Sequence, residues 1–143
     1  MKKQVVIGIF LMLVLTGISL MPSSPAPPPP PSTVDLIADH KTDIGYVTVR
    51  NDPDYIYVNY TVVNPWYLLE TDVQVGKNLS DFHLNPKGNP CPGKFEYKMF
   101  FETTDVVQNY IEIFRRPTGL KGEINISARA IVYNSETGEI PTA

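Results

Sequence analysis

Residues 55–63 read YIYVNYTVV, and the pattern in this stretch decides the fold class. The even-numbered positions, from Ile56 to Val62, are all apolar or aromatic, whereas the odd-numbered positions include Asn59 and Thr61. Successive side chains of a β-strand point to opposite faces, so this alternation predicts a strand with one buried face. No window after Pro31 shows a stripe of helical length with a period of 3.6 residues.

Six further segments show the same two-residue period. They are Thr33–Ala38, Gly45–Arg50, Trp66–Val75, Phe95–Glu102, Val106–Phe114 and Glu123–Tyr133. Turn-forming residues separate them, and residues 51–54 (NDPD) join two of them as a hairpin. Seven short strands with such turns predict an all-β fold, an antiparallel two-sheet β-sandwich. A small barrel is the alternative.

The first 21 residues have the layout of an export signal. Lys2 and Lys3 precede an uncharged apolar run from Val5 to Met21. As a helix this run would measure about 25 Å, which is slightly short of a hydrocarbon core of about 30 Å but tolerable for a single span. The sequence therefore predicts an N-terminal hydrophobic helix that is either a cleaved signal peptide or a retained signal anchor. The lysines before the run place residues after it outside the cytoplasm.

Residues 22–32 form a proline-rich stalk. Seven of the 14 prolines lie between Pro22 and Pro31. Proline fixes φ and lacks a backbone donor, so this stretch cannot pair in a sheet and should extend as polyproline II. The prediction is a linker that holds one extracellular domain, residues 33–143, away from a membrane or leaves with it.

The charge balance excludes a nucleic-acid-binding protein. Apart from Lys2 and Lys3 the chain carries 10 basic and 15 acidic side chains, with no basic stripe. A net negative domain repels phosphate backbones. We expect the partners to be the membrane, through an uncleaved helix, and surface proteins, polysaccharide or further copies of the chain.

Residues 78–93 interrupt the alternation with prolines and glycines, which predicts a long loop. Such a loop is either a crossover between the two sheets or a functional loop. Within it and just beyond, residues 87–97 (KGNPCPGKFEY) resemble the GNP-x-PG-x-F signature of an uncharacterised β-sandwich domain of secreted bacterial and archaeal proteins. Trp66, Glu70-Thr71 and residues 126–132 are similar to further strands of that family.

This resemblance covers nearly all of residues 33–139 and implies a fold without implying an activity. Arg129 stands where the family often has histidine, so no role of that histidine can be transferred. The chain also stops at Ala143 where relatives commonly continue. That difference predicts a final strand that is missing or supplied by another chain.

Catalytic and metal-binding motifs are scarce in the sequence. His40 and His83 are the two histidines and neither has a second ligand at metal-binding spacing, so we expect no metal site and no cofactor. Cys91 is the single cysteine, with no nearby histidine to activate it. It is a spectator thiol or an intermolecular disulfide partner. We expect a protein that is not an enzyme; an extracellular hydrolase is the least favoured alternative.

Two groups of residues are candidates for sites. Tyr55, Tyr57 and Trp66 would form an exposed aromatic strip of the kind on which sugar rings stack, if their faces are not covered by a loop or the other sheet. Three N-x-S/T sequons, at Asn59, Asn78 and Asn125, are candidates for glycosylation outside the cell.

Two functional hypotheses follow. The first is an exported or membrane-tethered extracytoplasmic module with a structural, adhesive or protein-interaction role. The alternative is a carbohydrate-binding module that uses the aromatic strip.

Overall fold

The computed structural model describes residues 9–13, 27, 29–120 and 122–141, and this part of the chain is built from β-strands. The strands are β1 (Ile9–Leu13), β2 (Ser32–Ala38), β3 (Thr42–Asn51), β4 (Tyr55–Val62), β5 (Trp66–Gly76), β6 (Tyr97–Phe100), β7 (Asn109–Arg115) and β8 (Ile124–Asn134). Two single turns of 3-10 helix lie at Leu79–Asp81 and Pro92–Lys94. The seven strands predicted from the sequence are all present.

The strands form two antiparallel sheets. The first sheet has the order β1-β8-β5-β6, and the second has the order β2-β3-β4-β7. The prediction of an antiparallel two-sheet architecture is therefore confirmed, and the described strands do not close into a barrel. The chain passes between sheets from β1 to β2, from β4 to β5, from β6 to β7 and from β7 to β8.

The core lies between the sheets and follows the alternation of the sequence. The even-numbered residues of β4, from Ile56 to Val62, are at most 3% exposed. The inward row of β8, from Ile124 to Val132, is buried to the same degree. Tyr60 reaches across the core, and its hydroxyl donates a hydrogen bond of 2.9 Å to the carbonyl of Asp72 in the other sheet. Burial raises the pKa of Tyr60 well above the ordinary tyrosine value.

The two open sides of the sandwich are closed differently. Between β6 and β7, Tyr97 stacks on Phe114 at 4.2 Å between ring centroids, and Phe101 meets Tyr110 edge-on at 5.1 Å. On the opposite side, β1 pairs with β8, and its Cα atoms come within 8 Å of those of β2 in the other sheet.

The predicted N-terminal helix and the stalk fall largely outside the described residues. Of residues 1–21, only Ile9–Leu13 are described, and they lie as a strand. Within the part of the chain that the structure describes, no helix is long and apolar enough to span a membrane.

One of the two roles predicted for the loop between β5 and β6 is wrong. It joins two neighbouring strands of the same sheet, so it is not a crossover between the sheets. Its tip is held by Asn85, whose side-chain oxygen accepts hydrogen bonds from the backbone N–H groups of Lys87 and Asn89 at 2.9 and 3.0 Å. Its own hydrogen bonds therefore hold this segment in shape, and we call it the 77–96 loop.

Candidate functional site

A bulge in β5 turns polar side chains onto the outer face of the first sheet. The pairing of β5 with β8 shifts between Leu68 and Glu70, so Leu69 is the extra residue. After the bulge Thr71, Val73 and Val75 lie on the core side. Glu70, Asp72 and Gln74 therefore lie on the outer side, opposite Ile131, Arg129 and Ser127 of β8.

Except for Glu70, these outer-face side chains are buried although they lie outside the core. Asp72 is 0% exposed and Arg129 is 6% exposed. The 77–96 loop contributes to this burial, because it folds back against the sheet: the N–H of Glu96 donates to the side-chain oxygen of Gln74 at 3.1 Å. Phe82 and Phe95, one near each end of the loop, are each 5% exposed and anchor it.

Four charged residues on this face form what we call the buried ion cluster: Asp72 and Arg129 are buried, and the side chains of Glu70 and Lys98 are 16% and 25% exposed. The Arg129 guanidinium donates to one oxygen of Asp72 and, at 2.8 Å, to Glu70 Oε1. Lys98 Nζ lies 3.2 Å from the second oxygen of Asp72. The same Nζ donates to the carbonyl of Pro92 in the loop at 2.9 Å. The cluster thus joins three strands and ties the loop to them.

In this cluster the charges of the acidic side chains are balanced by those of the basic side chains. Two carboxylates face two cations, so the formal charges cancel, and a buried charge is tolerated only when it is paired and hydrogen-bonded in this way. The cluster was not predicted from the sequence. The available signal was Arg129 itself, the single charged residue of β8, which lies between two alanines.

Glu70 is expected to make the stability of the protein depend on pH. Burial, and then the neighbouring charge of Asp72, raise the pKa of Glu70 above its ordinary value of 4.5. The folded protein therefore holds the Glu70 proton more tightly than the unfolded chain does. The stabilisation that this proton confers is complete below pH 4.5 and is lost as the pH rises through the raised pKa.

Glu70→Gln should remove the loss of stability that occurs as the pH rises. The glutamine oxygen can still accept the hydrogen bond from Arg129, and the glutamine side chain does not titrate. We expect the free energy of unfolding of the variant, relative to the parent protein, to increase from pH 4 to pH 7 in urea titrations. A relative decrease over that range would show that the Glu70 carboxylate stabilises the fold more when charged.

Two of the three predicted aromatic-strip residues lie together. Tyr55 and Tyr57 project from the outer face of the second sheet with ring centroids 6.5 Å apart. Arg50 lies over the ring of Tyr57, 4.4 Å from the centroid, and the Tyr57 hydroxyl donates to Asp52 at 2.7 Å. This hydrogen bond lowers the pKa of Asp52 and raises that of Tyr57. Because Arg50 lies over it, one face of the Tyr57 ring is already covered.

Trp66, the third residue of the strip, is elsewhere. It begins β5 of the first sheet and packs, half-buried, against the core. Tyr55 lies at the start of β4 and Trp66 follows its end, so the length of β4, about 23 Å for seven steps, separates them. The structure does not bring the three rings into one surface.

The three sequons occupy different environments. Asn59 lies in the middle of β4 on the outer face and is partly buried. Asn78 is exposed at the start of the 77–96 loop, where its N–H donates to Asp81 at 2.8 Å. Asn125 lies in β8 and its side-chain amide donates to the Lys77 carbonyl at 2.9 Å. Asn78 is the most accessible of the three.

The remaining chemistry-bearing residues are scattered. Among the described residues, no three His, Cys, Asp or Glu side chains lie close enough together to hold a metal ion. Asp52 and Asp43 accept backbone hydrogen bonds in their own turns. Cys91 carries a free, partly exposed thiol in the 77–96 loop.

Comparisons of this chain with protein-family models, with curated proteins and with solved structures give no match.

Proposed function

We propose that residues 33–143 form an extracytoplasmic β-sandwich module that binds another protein at the cell surface and catalyses no reaction. The leader exports the domain, and the stalk holds it off the membrane if the leader is retained or leaves with it if the leader is cleaved. The observation that carries this proposal is a broad exposed face on the second sheet.

That surface, called here the second-sheet face, comprises Tyr46, Tyr55, Tyr57, Ile111 and Ile113. Its residues come from three adjacent strands, β3, β4 and β7, and Tyr57 and Ile113 are directly paired. Ile113 is 54% exposed, Ile111 45% and Tyr46 40%. Single exposed apolar residues are ordinary, but a cluster of isoleucine and tyrosine on adjacent strands is typical of protein-binding surfaces.

Site-specific crosslinking tests this binding role. A photo-reactive phenylalanine derivative is placed at Ile113 in the full chain and irradiated in the cells that make it. The expected result is a discrete crosslinked protein band. The matched control is the same group at Thr118, which is also exposed but lies in the turn after β7. Equal crosslinking from both positions, or none from Ile113, would contradict the proposal.

A carbohydrate-binding role is the second candidate, and the Tyr55–Tyr57 pair is the observation that favours it. Tyr55 is 38% exposed, and Arg50 and Asp52 beside the pair supply polar groups that sugar hydroxyls could contact. This site contains two rings and excludes Trp66. Saturable binding on a glycan array that Tyr55→Ala reduces about tenfold, and Trp66→Phe leaves intact, would favour it over protein binding.

Glycosylation is a further part of the proposal. Asn78 is the sequon that we expect to be modified, because it is exposed in a loop, whereas Asn59 lies within β4 beside Ile111. A glycan at Asn59 would cover the second-sheet face. Intact mass measurement of the native protein should show an added mass that Asn78→Gln abolishes and Asn59→Gln does not.

A further inference from the structure

One flank of β8 carries a strand that the exported protein cannot keep there. β8 pairs with β5 along one side, from Trp66 to Gly76. Along the other side it pairs with β1, with Leu13 opposite Ile124 and Ile9 opposite Ala128. Since β1 also approaches β2, it closes the side of the sandwich that lacks the aromatic pairs.

The residues of β1 belong to the apolar leader. They lie within the uncharged run Val5–Met21, which we propose as the export signal. In a membrane-spanning helix or in a cleaved signal peptide, Ile9–Leu13 cannot pair with β8. The exported domain therefore presents this flank of β8 with its N–H and C=O groups available for another strand.

The β8 edge has none of the features that usually protect an exposed strand. It is 11 residues long and contains neither proline nor lysine. Its one charged side chain, Arg129, is committed to Asp72 and Glu70. Its inward row is apolar throughout, and edges of this kind pair readily with a further strand.

We propose that, in the exported protein, β8 accepts an extended, uncharged apolar segment of another polypeptide as an antiparallel donor strand in the position of Ile9–Leu13. This inference rests on the proposed export and binding role, and it names a second contact besides the second-sheet face. The donor needs apolar side chains at alternate positions, in register with Ile124, Ile126 and Ala128. Main-chain hydrogen bonds to β8 provide affinity, and the alternate side chains provide selectivity.

The charge of the domain favours such a segment over a second copy of β8. Without Lys2 and Lys3 the chain carries 10 basic and 15 acidic side chains, a net charge of −5. Two copies brought edge to edge would repel each other, whereas an uncharged segment would not.

The test uses the full chain with its leader inserted in phosphatidylcholine nanodiscs. The probe is a fluorescent peptide of residues 9–13, IFLML, flanked by two lysines at each end, and empty nanodiscs provide the background. We expect saturable binding. Serine at the positions of residues 9, 11 and 13 should weaken binding by about tenfold or more, whereas serine at 10 and 12 should weaken it less than about threefold. All substitutions are in the peptide, so the domain itself is unchanged.

Hydrogen exchange of residues 124–128 locates the bound strand. Alternate amides in this stretch face β5 and stay protected throughout. The amides that face the β1 position should exchange freely without peptide and be protected with it. Three results would overturn the inference: protection of the amides that face the β1 position before any peptide is added, equal weakening by both serine peptides, or a dimer whose contact maps to β8. The Ile113 crosslink reports on the other sheet, so failure of this inference and failure of the proposed function are distinguishable.

Discussion

Arg129→Met is expected to lower the free energy of unfolding by about 3 kcal/mol, because it leaves the Asp72 carboxylate buried with only Lys98 as a charged partner. The methionine retains the apolar volume of the arginine stem, so the loss reports on charge. Urea denaturation at neutral pH measures the effect. Arg115→Met is the matched control: Arg115 is exposed at the end of β7, and its removal should change stability by less than about 0.5 kcal/mol.

A second substitution separates charge pairing from packing. In Arg129→Met combined with Asp72→Leu, both members of the pair become apolar, and buried ion pairs replaced in this way often lose little stability. We expect the double variant to recover most of the unfolding free energy that Arg129→Met alone loses. If Arg129→Met were as mild as Arg115→Met, the cluster would be hydrated, and the 77–96 loop would not be its cover.

Gly45→Ala is also expected to have a large effect and to destabilise the protein by at least about 3 kcal/mol. Gly45 lies in β3 with φ +146°, a conformation that favours glycine. A Cβ atom there would lie 2.0 Å from the carbonyl oxygen of Thr61 in the paired strand β4. That oxygen belongs to the backbone, so relief would require the two strands to move apart.

Two other glycines provide controls for this substitution. Gly119 has φ +92°, and no described atom lies within 4 Å of the position that a Cβ would occupy, so Gly119→Ala isolates the cost of φ alone, about 1 kcal/mol. Gly93 has neither constraint, and Gly93→Ala should be near neutral. Thermal and urea unfolding of the three variants rank these effects. A Gly45→Ala protein no less stable than Gly119→Ala would contradict the close β3–β4 contact.

The strands could be predicted because their faces differ in polarity. The even-numbered residues of β4 and the inward row of β8 lie in the core as the two-residue period requires. The bulge at Leu69 could not be predicted. It shifts the inward positions from Leu68 to Thr71 and Val73, and no local residue pattern marks it.

The candidate sites were less accessible to sequence reasoning for a related reason. Alternation assigns Asp72 and Arg129 to an outward face but does not reveal that a loop covers that face. The prolines and glycines of residues 78–93 predict a loop, and the structure adds that it lies over the buried ion cluster. The strand pattern predicts exposure for Tyr55, Tyr57 and Trp66 alike, and only the change of sheet after β4 separates Trp66 from the two tyrosines.

Export is the central claim, since the stalk, the glycans and the open β8 edge all depend on it. Cys91 is the only cysteine in the chain and is partly exposed, so it reports directly on location. The measurement is labelling of intact cells with a membrane-impermeant maleimide, with Thr118→Cys in a Cys91→Ser background as an exposed second reporter. Labelling of both cysteines without lysis is the predicted result. Labelling of either one only after lysis would contradict the account.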